Sequence, residues 1–340
     1  MSTQHAFALE VEKMRESLKD VSVAQPEPRT LQEILNMQEA VDKAMMSISP
    51  ASPRRFQKLD LLEVYADMHS PLTEHANRVG LRAQRFTRQD GDLASVGGRQ
   101  RLWEIIVARR PTHIWLAPEC GPWGGWNRLN MFRSRALFDS VSQAQFDQLA
   151  HVRLAARLCE YQSRVGGFFH LEQPSGSSMP TLPEFETVRQ HAHQAAFDMC
   201  AFGLKIPNTQ KFIRKSSQVW TTSMNVFQLL DGRRCPKNHE HHQIAGTIRI
   251  MGKLRSLSRF CATYCSGFAW RVARTLRQPD LRLPLPPRGE QAMVGEIPEH
   301  APAQVVKTLE LTGRLCRLIR LSVSASGLFA ERVCCVTCTC

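Results

Sequence analysis

Short apolar runs separated by polar stretches with a helical period lay out this chain. Leu59 to Ala66 is a mostly apolar run of strand length, and Arg82 to Thr87 is a shorter, more polar one. Residues 112–117, 167–171, 196–202 and 217–223 repeat the pattern and predict four more strands. Gln143 to Val165 carries Phe146, Ala150, Leu154, Leu158, Tyr161 and Val165 at spacings of four and three, which predicts one long amphipathic helix. Leu102 to Arg109 reads as the end of another helix, and Phe260 to Arg277 as a third. Strands alternating with helices predict an α/β fold, with a mostly parallel sheet and helices on both faces joined by right-handed crossovers.

The flanks read differently. Ala8 to Leu18 and Leu31 to Met46 predict polar helices separated by Pro26 and Pro28, and Ser47 to Pro53 is a linker by composition. Residues 278–302 are rich in proline, Val305 to Leu321 reads as helical, and the end, Cys334-Cys335-Val336-Thr337-Cys338-Thr339-Cys340, is a poorly ordered cysteine-rich tail. The expected division is therefore a helical segment and linker over 1–53, a core domain over 54–277, and a linker and tail over 278–340. No internal repeat is visible.

Charge narrows the class of partner. The net charge is +13, and between Lys205 and Arg277 fourteen Lys and Arg face only Asp231 and Glu240. A concentrated basic surface is what phosphate binding needs, because each neutralised phosphate releases counterions; a merely solvated basic face is the plainer reading. No run of about 18 apolar residues exists, so no membrane span is expected. The 11 cysteines are odd in number and irregular in spacing, which fits a reducing intracellular compartment rather than a disulfide framework.

The strongest chemical pattern is a cysteine placed directly after an apolar strand. Thr112 to Ala117 runs into Pro118-Glu119-Cys120-Gly121-Pro122-Trp123, and Gly167 to Leu171 ends in Glu172-Gln173-Pro174. A thiol and a carboxylate at the carboxyl ends of two strands of an open α/β sheet would face one crevice. The pair suits covalent chemistry on an electron-poor ring, the thiolate attacking and the carboxylate managing a proton. A free cysteine is more often a small buried hydrophobe, and Glu172 is equally explained by a structural salt bridge to the basic segment. The Pro, Gly and Trp-rich loop favours the reactive reading, since backbone N–H groups there lower a thiol pKa. Trp115, Trp123 and Trp126 are candidates to line an aromatic slot for a planar substrate.

Other groups are weaker. Tyr65-Ala66-Asp67 ends the first strand, where doubly wound folds bind nucleotide-like cofactors, yet the glycines that let a backbone approach a ligand are missing. Asp90 or Asp92 suits either a ribose or adenine contact or a simple turn or helix cap. Gly203 to Pro207, followed by Gln210-Lys211-Phe212-Ile213-Arg214-Lys215, is a phosphate clamp or a plain exposed basic loop. Cys235, His239 and His241 form a dense ligand group suited to zinc, with Cys261 and Cys265 downstream, but the spacings match no standard finger. Exposed histidines, or histidines touching phosphate, are the other readings of that group.

Taken in order, these blocks resemble those of DNA cytosine-5 methyltransferases over roughly residues 57–225. Leu62 to Asp67 resembles that family's first block, Gly91-Asp92-Leu93 its Gly-Asp-Ile block, and Pro118 to Trp123 its Pro-Pro-Cys-Gln loop. Glu172-Gln173-Pro174 resembles its Glu-Asn-Val block, and Gly203 to Lys215 its Gly-x-Pro-Gln-x-Arg-x-Arg block with two extra residues. The order is also similar to methyltransferase-like domains in protist retroelement reading frames. The resemblance implies a Rossmann-like, doubly wound fold that binds S-adenosylmethionine near Tyr65, Ala66, Asp67, Asp92 and Pro118. It implies Cys120 as nucleophile, Glu172 as proton donor at the base, and Gln210, Lys211, Arg214 and Lys215 against nucleic acid, DNA ahead of RNA. A nuclear location follows from the same expectation. Glu119 stands where the family has proline, Gly124 where it has serine, and Gln173-Pro174 where it has Asn-Val. The alternative is therefore a catalytically inactive nucleic-acid-binding module of the same fold, of retroelement origin.

Overall fold

The computed structural model describes residues 31–47, 57–250, 253–280, 318–324 and 327–333. The residues up to 280 belong to one compact unit and the C-terminal hairpin to a second. The expected helix from Ala8 to Leu18 and the cysteine tail 334–340 lie outside the described residues. Among those described, no helix is long and apolar enough to cross a membrane.

The core is a six-stranded mixed sheet in the order β2-β1-β3-β4-β7-β5. Its strands are β1 (Leu61–Val64), β2 (Ala83–Phe86), β3 (His113–Leu116), β4 (Phe168–Pro174), β5 (His193–Asp198) and β7 (Ser216–Thr221), with the two-residue β6 (Phe212–Ile213) off the sheet. β1 and β3 are buried at every position, as expected of central strands covered on both faces. The helices in this part are α1 (Leu31–Ser47), α2 (Pro71–Arg78), α3 (Val96–Arg109), the short α4 (Gly125–Asn130), α5 (Arg135–Arg164), α6 (Glu186–His191) and α7 (Met224–Leu230). The two-residue β8 (His241–His242) pairs with β6, and β9 (Thr247–Ile250) and β10 (Lys253–Ser256) form a hairpin. The short α8 (Leu257–Phe260) and α9 (Ser266–Leu276) close the unit.

The strand order explains which face each helix covers. The chain moves from β1 to β2 in one direction, then back across β1 to β3 and on to β4. With right-handed crossovers, α2 must lie on one face and α3 and α5 on the other. The cores agree. Leu72 and Ala76 of α2 pack with Leu61, Trp115, Val219 and, from α9, Phe268 and Val272. Leu102, Ile106, Leu154 and Leu158 of α3 and α5 pack with Leu62, Val64, Ile114 and Leu171.

Several sequence expectations change. The sheet is mixed, because β7 runs antiparallel to both β4 and β5. A parallel neighbour needs a crossover, usually a helix, to return the chain to the start of the sheet. Residues 199–215 contain only a 3₁₀ turn (Met199–Phe202), β6 and loop, so the chain stays at the carboxyl end of β5 and re-enters from there. β4 extends through Pro174, which puts Glu172 and Gln173 inside the strand. The long helix begins at Arg135, eight residues before the expected start at Gln143, because Ser134 caps it by accepting from Leu137 N; its Phe146 is exposed. The C-terminal helix starts at Ser266, not Phe260.

Leu318 to Leu321, expected to be helical, belongs to β11 (Leu318–Ser324), paired antiparallel with β12 (Gly327–Val333). α1 is not wholly polar, since Leu35, Val41 and Met45 are buried. Its Asp42 lies 2.6 Å from the buried Arg99 guanidinium and accepts at 2.9 Å from Trp103 Nε1. A buried ion pair left with one partner costs several kcal/mol, so this contact fixes where α1 sits on α3.

Candidate active site

β3 and β4 are parallel neighbours with Leu116 opposite Leu171, so the residues following β3 and the end of β4 arrive at the same edge. Cys120 is the half-buried residue that starts a 3₁₀ turn (Gly121–Trp123), and its carbonyl accepts from Trp123 N. The turn is tied down on several sides. Asn127 Nδ2 donates to Gly121 O at 2.6 Å, Gln145 Nε2 to Pro122 O at 3.1 Å, and Ser178 N to Trp123 O at 2.9 Å. Gln173 Nε2 donates to Pro118 O at 2.8 Å while Ser177 Oγ donates to Gln173 Oε1. Gln173, where the resembled family has asparagine, is thus a positioning residue for the cysteine loop.

Alternation along β4 sends Phe169 and Leu171 to one core, and His170 and Glu172 to the other face, where His170 stacks on Trp115. Glu172 is only 5% exposed, and its Oε1 has no hydrogen-bond donor. The nearest cation is Lys215 Nζ at 3.7 Å, with a side chain 15% exposed. The antiparallel β7 makes this meeting possible: Pro174 pairs with Ser217, so the residue just before β7 lands beside the end of β4.

Thiol and carboxylate share one field. Burial pushes the Cys120 thiol above its ordinary pKa, the Glu172 charge raises it further, and Lys215 opposes both. The Tyr264 hydroxyl, which accepts from Trp115 Nε1 at 2.8 Å, is driven well up by burial and then by Glu172 and Glu63. Glu63 is itself buried, accepts from Ser70 Oγ, Thr73 Oγ1 and Thr73 N, and has its pKa raised by burial. On its other side Tyr264 borders a cleft of about 380 Å³, lined also by Lys205, Asn208, Thr263 and Ser266.

The remaining expected residues fall as follows. Tyr65 ends β1 at φ 64°, a left-handed conformation uncommon for a non-glycine. Its hydroxyl donates to His151 O at 3.1 Å, which turns the ring into the core rather than toward the crevice. Asp67 and Asp92 are exposed, each with one oxygen accepting from its own turn, from His69 N and Ala94 N. Ala66 is half-buried and Pro118 buried. Asp90 is a local cap, accepting from Thr87 N and Oγ1.

The aromatic slot is not assembled as expected. Trp115 and Trp123 are buried, and only Trp126, 75% exposed, faces water. Gln210, Lys211 and Arg214 are exposed on the basic loop, with Gln210 Oε1 accepting from Lys205 Nζ and Arg214 near Asp198.

Cys235, His239 and His241 do come together, joined by a residue the spacing gave no reason to include. Cys200, on the turn after β5, brings its sulfur within 4.8 Å of the other three ligand atoms, a group able to hold a metal ion. Cys261 is in the core, and Cys265 Sγ donates to Phe202 O, so neither joins the group. No local signal in the sequence singles out Tyr264 or Cys200, because each reaches its site through the tertiary fold. No protein-family model matches this chain, and no curated protein matches it.

Proposed function

We propose that this chain modifies a nucleic-acid base by covalent addition of Cys120, passing a methyl group to C5 of a cytosine as in the DNA cytosine-5 methyltransferases it resembles. The observation that carries the reading is Glu172 Oε1, a buried carboxylate oxygen with no donor, in the electrostatic field of the thiol. An unsatisfied buried acceptor costs roughly 1–3 kcal/mol, and the N4 amino group of a cytosine would remove that cost at Oε1 while the other carboxyl oxygen faces N3. The Rossmann-like reading is favoured by the strand order, which is the doubly wound order 2-1-3-4-5 with one antiparallel strand inserted before the last.

The chain's residues would act in sequence. Cys120 loses its proton to solvent and forms the S–C6 bond, while the C5–C6 electron pair moves into the ring toward N3. Glu172, protonated, donates to N3 and so holds the charge that develops there. Once C5 carried the methyl group, the C5 proton would pass to solvent, its electron pair would re-form C5=C6 as the S–C6 bond breaks and releases Cys120 as thiolate, and the N3 proton would return to Glu172. Lys215 balances Glu172 when it is ionised. S-adenosylmethionine, held at the ends of β1, β2 and β3, would supply the methyl group. The donor set there suits its ribose, because Asp67 and Asp92 are exposed carboxylates with one oxygen each engaged.

Nucleic-acid contact is supported by the surface that flanks the cysteine. Trp126 and Phe132, the latter 80% exposed, stand with Arg128, Arg133 and Arg135 just beyond the Cys120 turn. Exposed aromatics interleaved with arginine form a stacking platform for unpaired bases. DNA carrying 5-fluorocytosine tests the mechanism: the wild type should form an adduct with the cofactor present, whereas Cys120→Ser should bind DNA and form none. Adduct formation by the variant would overturn the assignment.

A second reading, a module that binds nucleic acid without modifying it, is favoured by the raised thiol and by the engaged Tyr65 hydroxyl. Calorimetry with S-adenosylmethionine separates the two readings. No heat from folded, DNA-binding protein selects the second.

A further inference from the structure

We propose that Cys200, Cys235, His239 and His241 form a closed, structural zinc site that clasps the basic loop to the end of β5, independently of any methyl transfer. The four ligand atoms come from two stretches far apart in the chain, the turn after β5 and the 235–241 segment, and all lie within 4.8 Å of one another. The separations among the last three are close to those of a coordination tetrahedron. Cys235 Sγ is 3.5 Å from His239 Nε2 and 3.3 Å from His241 Nε2, and the two imidazole nitrogens are 3.1 Å apart. A tetrahedral ion with Zn–S of about 2.3 Å and Zn–N of about 2.05 Å puts sulfur and nitrogen about 3.6 Å apart, and two nitrogens about 3.3 Å apart. Four protein ligands leave no open position for substrate or water, which marks a structural rather than catalytic ion.

The surroundings are built to hold the ligands. Lys237, at φ 59°, donates its backbone N–H to Cys235 Sγ at 3.3 Å, which orients the sulfur. His239 Nδ1 lies 3.1 Å from Asn238 Oδ1, so the ring can donate there and offer Nε2 to the metal. Cys235 N donates to Asp198 Oδ2 at 2.9 Å, fixing the loop to the last residue of β5. Binding would release the two thiol protons to solvent, with no change of oxidation state.

The clasp reaches the basic loop through an aromatic stack. The His239 ring lies 3.8 Å from that of Phe212, over which Lys205 Nζ sits at 4.4 Å. Phe212 and Ile213 pair with His241 and His242, and Phe212 N donates to Glu240 O. Loss of the ion should therefore loosen residues 205–215.

Elemental analysis of the purified full chain should find about one zinc, and Cys200→Ser with Cys235→Ser should remove it. Cys338→Ser with Cys340→Ser, in the tail, should keep it. Cobalt exchanged into the site should give a tetrahedral spectrum with thiolate charge-transfer bands. Should the double variant fail to fold, His241→Cys supplies the control: it should retain the ion and strengthen those bands. Chelation should speed tryptic cleavage after Lys211 and Arg214. Failure of the folded chain to take up zinc, zinc retained by Cys200→Ser with Cys235→Ser, or a Cys200–Cys235 disulfide in the reduced purified protein would each overturn the proposal.

Discussion

Beneath Trp115 and the candidate site, β3 and β4 carry two histidines that fold only as neutral rings. His113 Nδ1 lies 3.2 Å from His170 Nε2, and His170 Nδ1 lies 2.8 Å from Thr221 Oγ1. Burial holds His113 down to about 4 from its ordinary 6.5, and drives His170 well below that ordinary value with help from His113. Unfolding at a pH between about 4 and 6.5 must therefore take up protons, because the unfolded chain binds them and the folded one does not. The stability that His113 contributes this way is complete above pH 6.5, falls as the pH drops, and stops falling below about 4; that of His170 falls in the same direction.

For His113 alone the gap from about 6.5 to about 4 is worth about 3 kcal/mol, at about 1.4 kcal/mol per pH unit. Glu63 and Asp42, whose pKa values burial raises, act in the opposite sense, so the contribution must be isolated by difference. Urea unfolding at several pH values between 4.5 and 6.5, on wild type and His113→Gln, does this. The variant loses the stacking on Phe168 and will be less stable throughout, but only its slope matters. The slope of stability against pH should be shallower than wild type by nearly one proton, about 1.4 kcal/mol per pH unit. Parallel slopes would refute the claim that His113 is folded as a neutral ring.

Two further outcomes bear on function. Alkylation of Cys120, followed site by site by mass spectrometry, should rise only above the ordinary thiol range; Glu172→Gln should move the profile to lower pH and Lys215→Met to higher pH, since these are the charges that raise and lower the thiol. Shifts of the opposite sign would separate the thiol from this pair. Lys211→Ala with Arg214→Ala should weaken DNA binding and reduce the slope of log affinity against log salt by about 1.8, at about 0.9 for each phosphate no longer neutralised; an unchanged slope would place the phosphate-binding cations elsewhere on the chain.

The α/β alternation, the long helix and the positions of the strands up to β4 were legible in sequence, because period and apolar run length report local backbone geometry. So was the arrival of the Cys120 loop and the end of β4 at one edge of the sheet, since β3 and β4 are parallel neighbours. Three things belonged to the tertiary structure alone. β7 reverses because the 199–215 connection has no crossover helix, and only that reversal carries Lys215 to Glu172. Trp115 and Trp123 look the same as Trp126 in sequence, yet packing against the sheet buries the first two and leaves the third in water. Cys200 becomes the fourth ligand because β5 ends where the 235–241 loop returns. Spacing along a chain fixes which residues share a helix face or a strand edge; it cannot say which distant segments the packing of a sheet will bring within the few ångströms where charge, thiol and imidazole act on one another.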